Sequence, residues 1–243
     1  MGRQLAIDRG NSFTKLSVSE NGVFQKTIAL HDDQLRDALA DFISSVNPEA
    51  IIISNVRDQF PFEDLFENTS AQIVRVSVSL KLPFSISYET PETLGHDRLA
   101  NIAGAVTQMP GRNVLVIDCG SCITYSLLIK GTFAGGSISP GIGMRYRALH
   151  EFTGSLPLVD TESTVPAIPG RSTTDSIRTG VQRAILFETE AMIETYRAQF
   201  ENLEVVLTGG DYSFFENNLK SRIFAHPELT RIGLHEILRI NRS

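Results

Sequence analysis

The chain has 243 residues, 42% of them hydrophobic, and a formal net charge of −6, enough apolar material for one large core or two modest ones. An acidic balance without a basic run argues against a nucleic-acid or anionic-membrane surface, and the apolar runs are far shorter than a membrane span. Two cysteines do not make a disulfide framework, and a chain that enters a strand by residue 4 shows no secretory signal, so the expectation is a cytoplasmic protein.

Residues 4–8, 13–19 and 23–30 read as a meander of short strands, with Asn21-Gly22 as the hairpin turn between the last two. Asp33 is expected to cap an amphipathic helix through Leu35, Leu39, Phe42 and Ile43. Ala50-Ile51-Ile52-Ile53-Ser54 lacks polar alternation and reads as a buried strand. A weaker helix is placed around 62–68 and a strand over 72–78. Residues 81–94, with Pro83 and Pro91, form an extended connection, and a helix over 95–109 stops at Pro110-Gly111. The theme then repeats, with strands over 113–118, 123–129 and 133–139 and a helix from Ile142 towards His150. The Pro-, Ser- and Thr-rich stretch 155–170 reads as a loop. A long helix over about 173–200 carries Ile177, Val181, Ala184, Ile185, Ala191, Ile193 and Tyr196, too apolar for a mere surface helix, so part of it is expected against a second subunit. A strand over 204–208, a helix from Tyr212, a strand over 222–225 and a helix through Leu234 and Leu238 end the chain.

Two stretches look like copies of one device, Ala6-Ile7-Asp8-Arg9-Gly10-Asn11-Ser12-Phe13-Thr14 and Val116-Ile117-Asp118-Cys119-Gly120-Ser121-Cys122-Ile123-Thr124. Aligned without a gap, their Ile, Asp, Gly and Thr coincide. That is the layout of a hairpin whose turn offers backbone N–H groups to a phosphate, with an acid nearby for a metal or its waters. Ordinary turn chemistry explains either stretch alone; their agreement in phase suggests two similar half-molecules closing on one nucleotide. No Walker-type loop occurs, and Gly141-Ile142-Gly143 lacks the third glycine of a dinucleotide fingerprint. Gly209-Gly210-Asp211 follows a strand and opens a helix, where an anion or an adenosine edge would be favoured; a plain turn reads equally well.

Gly95-His96-Asp97-Arg98 sits at a helix start. An Asp there can orient a substrate hydroxyl proton and an Arg can hold an anionic substrate, while helix capping with a surface Arg is the plainer alternative. Cys119 and Cys122 spell Cys-x-x-Cys, but in a hairpin rather than at a helix start, so two small buried residues is the better account. The histidines show no ligand spacing. The run from Gly135 to Gly141 allows close backbone approach and could line a pocket or simply end a strand.

In order and spacing these pieces resemble type III pantothenate kinase, a family of the acetate and sugar kinase, heat-shock chaperone and actin superfamily. The resemblance is carried by Asp8-Arg9-Gly10-Asn11-Ser12…Lys15, Tyr88…Gly95-His96-Asp97-Arg98, Asp118-Cys119-Gly120-Ser121…Thr124, Gly135…Gly141, Gly170…Thr173 and Thr208-Gly209-Gly210-Asp211. It implies an α/β fold of two tandem ribonuclease-H-like lobes, 1–110 and 111–243, each an actin-like ATPase lobe with a mixed β-sheet and flanking helices. It further implies ATP-dependent phosphorylation of pantothenate in the first step of coenzyme A biosynthesis, with Mg²⁺ and a monovalent cation (K⁺ or NH₄⁺), by a homodimer with a composite site. By the same resemblance, Asp8, Arg9, Gly10, Asn11, Ser12, Phe13, Thr14 and Lys15 match the first phosphate-binding turn and Ser121 an ATP contact. Asp97 matches the general base, Tyr88, Gly95, His96, Asp97 and Arg98 the pantothenate site, Asp118 a cation ligand, and Thr173 a residue reaching pantothenate from the neighbouring subunit.

Three positions depart from that pattern: Arg9 where a small or apolar residue is usual, Ser121-Cys122 in place of Thr-Ala, and Ser126 in place of an acid. The last removes a negative charge near the expected cation site and leaves the potassium requirement open. A non-catalytic nucleotide-binding regulator of the same superfamily and a kinase for another small hydroxy acid are the alternatives.

Overall fold

The computed structural model describes residues 2–57 and 59–242. The chain forms two units, one of Met1–Pro110 with Glu228–Ser243 and one of Gly111–Pro227. In the first, β1 (Arg3–Arg9), β2 (Thr14–Glu20) and β3 (Val23–Leu30) make the expected antiparallel meander. Asn21 and Gly22 join β2 to β3 with φ of 53° and 81°, the left-handed pair that a tight hairpin requires. Strands β4 (Ala50–Asn55) and β5 (Gln72–Arg75) add in parallel on the other side of β1, giving the order β3-β2-β1-β4-β5. A short strand, β6 (Ser85–Ile86), lies in the connection that follows.

Helix α1 (Asp32–Val46) lays Leu35, Leu39 and Phe42 on Leu5, Ile7, Leu16, Ile51 and Ile53. It starts after His31, so Asp33 lies inside its first turn rather than before it. The helix expected over 62–68 shrinks to a 3₁₀ turn, Glu63–Phe66, anchored by buried Phe66. The strand expected to reach residue 78 ends at Arg75, which pairs with Ile53; Val76 N makes one more bond, to Ile53 O at 2.9 Å, and the pairing goes no further. Helices α2 (His96–Gln108) and α7 (Leu229–Asn241) pack together on this unit, so the C-terminal helix joins the first unit rather than the second lobe in which the sequence reading placed it. Glycine makes that contact possible: a Cβ on Gly233 would stand 1.7 Å from the Ala100 carbonyl oxygen, and one on Gly104 would stand 2.3 Å from that of Leu229.

The second unit repeats the plan. Strands β7 (Asn113–Cys119), β8 (Cys122–Ile129) and β9 (Thr132–Pro140) form an antiparallel meander. Strands β10 (Leu203–Thr208) and β11 (Phe224–Ala225) extend it in parallel, in the order β11-β10-β7-β8-β9. Helix α3 (Ile142–Glu151) precedes residues 155–170, which form no helix or strand. The long helix expected over 173–200 forms without interruption from Thr173 to Gln199, as α4 (Thr173–Arg178), a π turn (Thr179–Arg183) and α5 (Ala184–Gln199). Within the π turn the buried Gln182 side chain accepts from Tyr146 Oη at 2.8 Å and donates to Glu162 O at 2.6 Å, tying the preceding loop to the helix. Val159 and Val165 of that loop join Ile177, Val181 and Ile185 in one core with Leu115, Ile117 and Tyr125. Much of the excess apolar face is thus covered within the unit. Helix α6 (Tyr212–Asn218) buries Phe214 and Phe215 in the same core.

Candidate active site

In the first unit, pairing sets Asp8 at the end of β1 between Lys15 of antiparallel β2 and Ser54 of parallel β4. The Ser54 hydroxyl donates to Asp8 Oδ1 at 2.9 Å. Burial pushes the Asp8 carboxyl above its ordinary pKa; the Ser54 hydrogen bond and the Lys15 charge pull it back, and the Asp97 charge adds to the rise. Beyond Asp8, Gly10 N donates to Phe13 O at 3.0 Å and closes the turn. Asn11, Ser12 and Lys15 are exposed, Phe13 packs against His31 with ring centroids 4.4 Å apart and planes tilted by 48°, and Thr14 is fully buried. Arg9 points into the unit, donating to Gln59 O at 2.6 Å with its guanidinium 5.9 Å from the centre of the Phe62 ring. Arg9 is therefore a strut behind the turn.

Gly95 caps α2. A Cβ there would lie 2.5 Å from Asp97 Oδ1, so glycine leaves room for the carboxyl to fold back and accept the Arg98 N–H at 2.7 Å. His96 Nδ1 accepts the Asn55 N–H at 3.3 Å, and burial lowers its pKa against the opposing charge of Asp97. Arg98 is only 4% exposed, which excludes the plainer reading of a surface arginine. Tyr88 lies at the surface, 36% exposed.

In the second unit, Asp118 ends β7 between Thr124 of antiparallel β8 and Thr208 of parallel β10. Three backbone turns close around it. Gly120 N donates to Cys122 O and Gly141 N to Ser121 O, both at 3.0 Å, and Asp211 N donates to Cys119 O at 2.8 Å. Gly209, at φ 97°, approaches so closely that a Cβ would stand 2.4 Å from Asp118 Oδ1, and one on Gly141 would stand 2.0 Å from Gly120 O. The Thr208 hydroxyl is buried beside Asp118 with no protein hydrogen-bond partner among the described residues. Burial raises the Asp211 carboxyl and, with the Asp118 and Asp211 charges, lifts the Cys119 thiol well above its ordinary value, so Cys119 is an inert core residue. Ser126 is buried opposite Val116 and Gly136. Thr173 stands exposed on the first turn of α4, behind the Ser172 cap.

The ungapped match of the two turns does not hold to its end. Arg9 pairs with Thr14 across residues 10–13, whereas Cys119 pairs with Ile123 across 120–122. The second turn is one residue shorter, so Lys15, not Thr14, stands opposite the acid where Thr124 does in the second unit. Sequence reasoning also passed over Ser54, Asn55 and Arg57. Arg57 Nε donates to Gly10 O at 3.0 Å and Nη2 to Asn11 O at 2.7 Å, holding the outer face of the first turn. A polar Ser-Asn-Val-Arg tail on an apolar parallel strand was the available signal, since ligand sites collect at the carboxyl ends of such strands.

The type III pantothenate kinase family model matches residues 4–195. A type III pantothenate kinase of Cytophaga hutchinsonii is 42% identical over 238 residues, covering 98% of this chain and 99% of its own. One from Bacteroides fragilis is 38% identical over 247 residues, covering 98% of each. Among solved structures, a ROK family glucokinase from Streptomyces griseus in complex with glucose and AMPPNP shares the fold, with a TM-score of 0.57 at 11% identity over 99% of both chains. Matched over most of its length by the family model and over nearly all of it by these relatives, the chain belongs to the type III pantothenate kinase family.

Proposed function

We propose a division of labour for the ATP-dependent phosphorylation of pantothenate to 4'-phosphopantothenate, the opening step of coenzyme A biosynthesis and the activity of the family to which this chain belongs. The observation that carries it is that the carboxyl end of β4 meets both acids' surroundings in the first unit: Ser54 donates to Asp8 at 2.9 Å, and the next residue, Asn55, donates its N–H to His96 Nδ1 at 3.3 Å, beside Asp97. Asp97 takes the proton of the pantothenate primary hydroxyl while its oxygen bonds to the γ-phosphorus. The bond from that phosphorus to the bridging oxygen breaks, and ADP leaves. Because the transition state is loose, most of the acceleration comes from alignment and from N–H groups and cations facing the phosphates. The turn 10–13 and Lys15 serve the phosphates, Arg98 and Tyr88 the carboxylate end of pantothenate, and Ser121 with the turn at Gly209–Asp211 the nucleotide.

Asp8 suits a hard divalent ion, being a carboxylate whose orientation is set by the Ser54 hydroxyl, and it would hold Mg²⁺ directly or through water. When bound, Mg²⁺ neutralises charge on the phosphate oxygens. Asp118 would hold the monovalent cation, and the buried Thr208 hydroxyl beside it is a neutral oxygen suited to such an ion. Among the described residues no three His, Cys, Asp or Glu side chains cluster as a metal site. The homodimer reading is supported in the second unit by Phe187 on α5, 61% exposed, and Ile138 on β9, 64% exposed. Thr173 would then act across the subunit boundary.

ADP release from MgATP, with and without pantothenate and in sodium then potassium buffer, tests the reading beside Asp97→Asn. Turnover should require pantothenate, and the variant should lose about 10²–10⁴-fold in kcat while its ATP affinity is kept. Pantothenate-independent ADP release, or an unimpaired variant, would overturn the assignment of Asp97. A protein that binds ATP yet never turns over would instead favour the regulatory alternative.

A further inference from the structure

The first-unit turn and the helix start that carries Asp97 are joined by residues 55–57, at the carboxyl end of β4. The Asn55 side chain closes on Arg57, with Nδ2 donating to Arg57 O at 2.7 Å and Oδ1 accepting the Arg57 N–H at 3.3 Å. The Asn55 backbone N–H reaches His96 Nδ1 at 3.3 Å, one residue from Asp97. From the same short segment the Arg57 guanidinium holds the carbonyls of both Gly10 and Asn11.

A trans peptide sets its N–H antiparallel to its C=O. Fixing the Gly10 and Asn11 carbonyls on the Arg57 side therefore turns the N–H groups of Asn11 and Ser12 to the opposite face, as in a two-amide anion nest. One planar fork reaching two carbonyls does this; an ammonium on a flexible stem does not. We infer that Asn55 and Arg57 form a bracket that holds the phosphate turn and the Asp97 helix start at a fixed separation, with Arg57 a positioning residue that aims the turn's amides at the ATP phosphates. Arg57 acts through the turn and not as a counter-charge.

The inference rests on the proposed role of the turn 10–13 in binding phosphate, and the test separates the two. Full-length wild type, Arg57→Lys, Arg57→Ala and Lys15→Ala are compared for KM of ATP and of pantothenate, kcat, affinity for AMPPNP and for adenosine, and Tm. Both Arg57 variants should raise the KM for ATP about tenfold and weaken AMPPNP to match, with adenosine affinity and the KM for pantothenate within about twofold. Restoration of ATP affinity by lysine would overturn the bracket, because it would mark Arg57 as a point charge. Equal loss of AMPPNP and adenosine together with a lowered Tm would overturn it too, marking a merely structural residue. A changed KM for ATP in Lys15→Ala with none in either Arg57 variant sinks the bracket alone; no change in any of the three sinks the phosphate-turn reading with it.

Discussion

His235 shows how much one buried side chain can contribute to a pH response. It lies 7% exposed on α7, with Nε2 3.2 Å from Ser17 Oγ and Nδ1 3.1 Å from Ser19 Oγ, and with the Phe24 ring edge-on at 5.1 Å. Burial, reinforced by the Arg231 charge, lowers its pKa to about 4, below the ordinary value of 6.5. As pH falls the unfolded chain takes this proton first. The associated stability is therefore complete above pH 6.5 and lost progressively towards pH 4, up to roughly 3 kcal/mol. Urea midpoints at pH 7 and pH 4.5 should differ less in His235→Gln than in wild type; equal pH dependence would show that the histidine is not the titrating group. Gly209 is the second residue-scale case. At φ 97°, with no room for a Cβ beside Asp118, Gly209→Ala should destabilise the second unit by about 2 kcal/mol or more, measurable as a fall in Tm.

At the scale of elements, the crossing of α2 and α7 is a backbone-to-backbone contact. Gly104 and Gly233 each face a carbonyl oxygen of the opposite helix at a distance no Cβ tolerates. Gly233→Ala gains helix propensity of about 1 kcal/mol, but it must separate the helices and is expected to cost about 1–3 kcal/mol net. Gly154→Ala, where nothing lies within 4 Å, is the control and should stay within about 0.5 kcal/mol. Denaturant midpoints of the two variants decide this, and a neutral Gly233→Ala would mean that the helices can part freely. The π turn at Thr179–Arg183 within the long helix belongs to the same scale. Its apolar positions were legible, but the reason for so many was not, because Val159 and Val165, which cover them, sit in an irregular loop with no periodic pattern to mark their inward-facing residues.

Across the whole molecule, the last helix closes the unit that the first residues begin. Leu229, Leu234, Ile237 and Leu238 of α7 are all buried in the first unit, at about 1.5–3 kcal/mol each, a sum comparable with the net stability of an entire domain. A chain ending at Pro227 should therefore lose hydrogen-exchange protection in β1, β4 and α2 while β7, β8 and β10 keep theirs, since Gly111–Pro227 is continuous in sequence. Retained protection in β1 and β4 would refute the dependence.

Local chemistry was legible from the sequence. Strand β3 begins at Val23 and ends at Leu30 as expected, with Asn21-Gly22 in the left-handed conformation, because a hairpin is specified by its own few residues. The family pattern likewise named Asp8, Asp97 and Asp118 as the acids to examine. Whatever depends on pairing across long separations was not legible. Ser54 meets Asp8 across 46 residues and Arg57 meets Asn11 across the same distance, through the parallel pairing of β1 with β4. The return of α7 to the first unit also follows from packing across a long separation. The sequence by itself determined the order of the elements and the types of residue at their ends, since propensity and turn chemistry are local. Only the tertiary structure decided which of those ends meet, because strand register and helix contact are chosen by partners that no local pattern encodes.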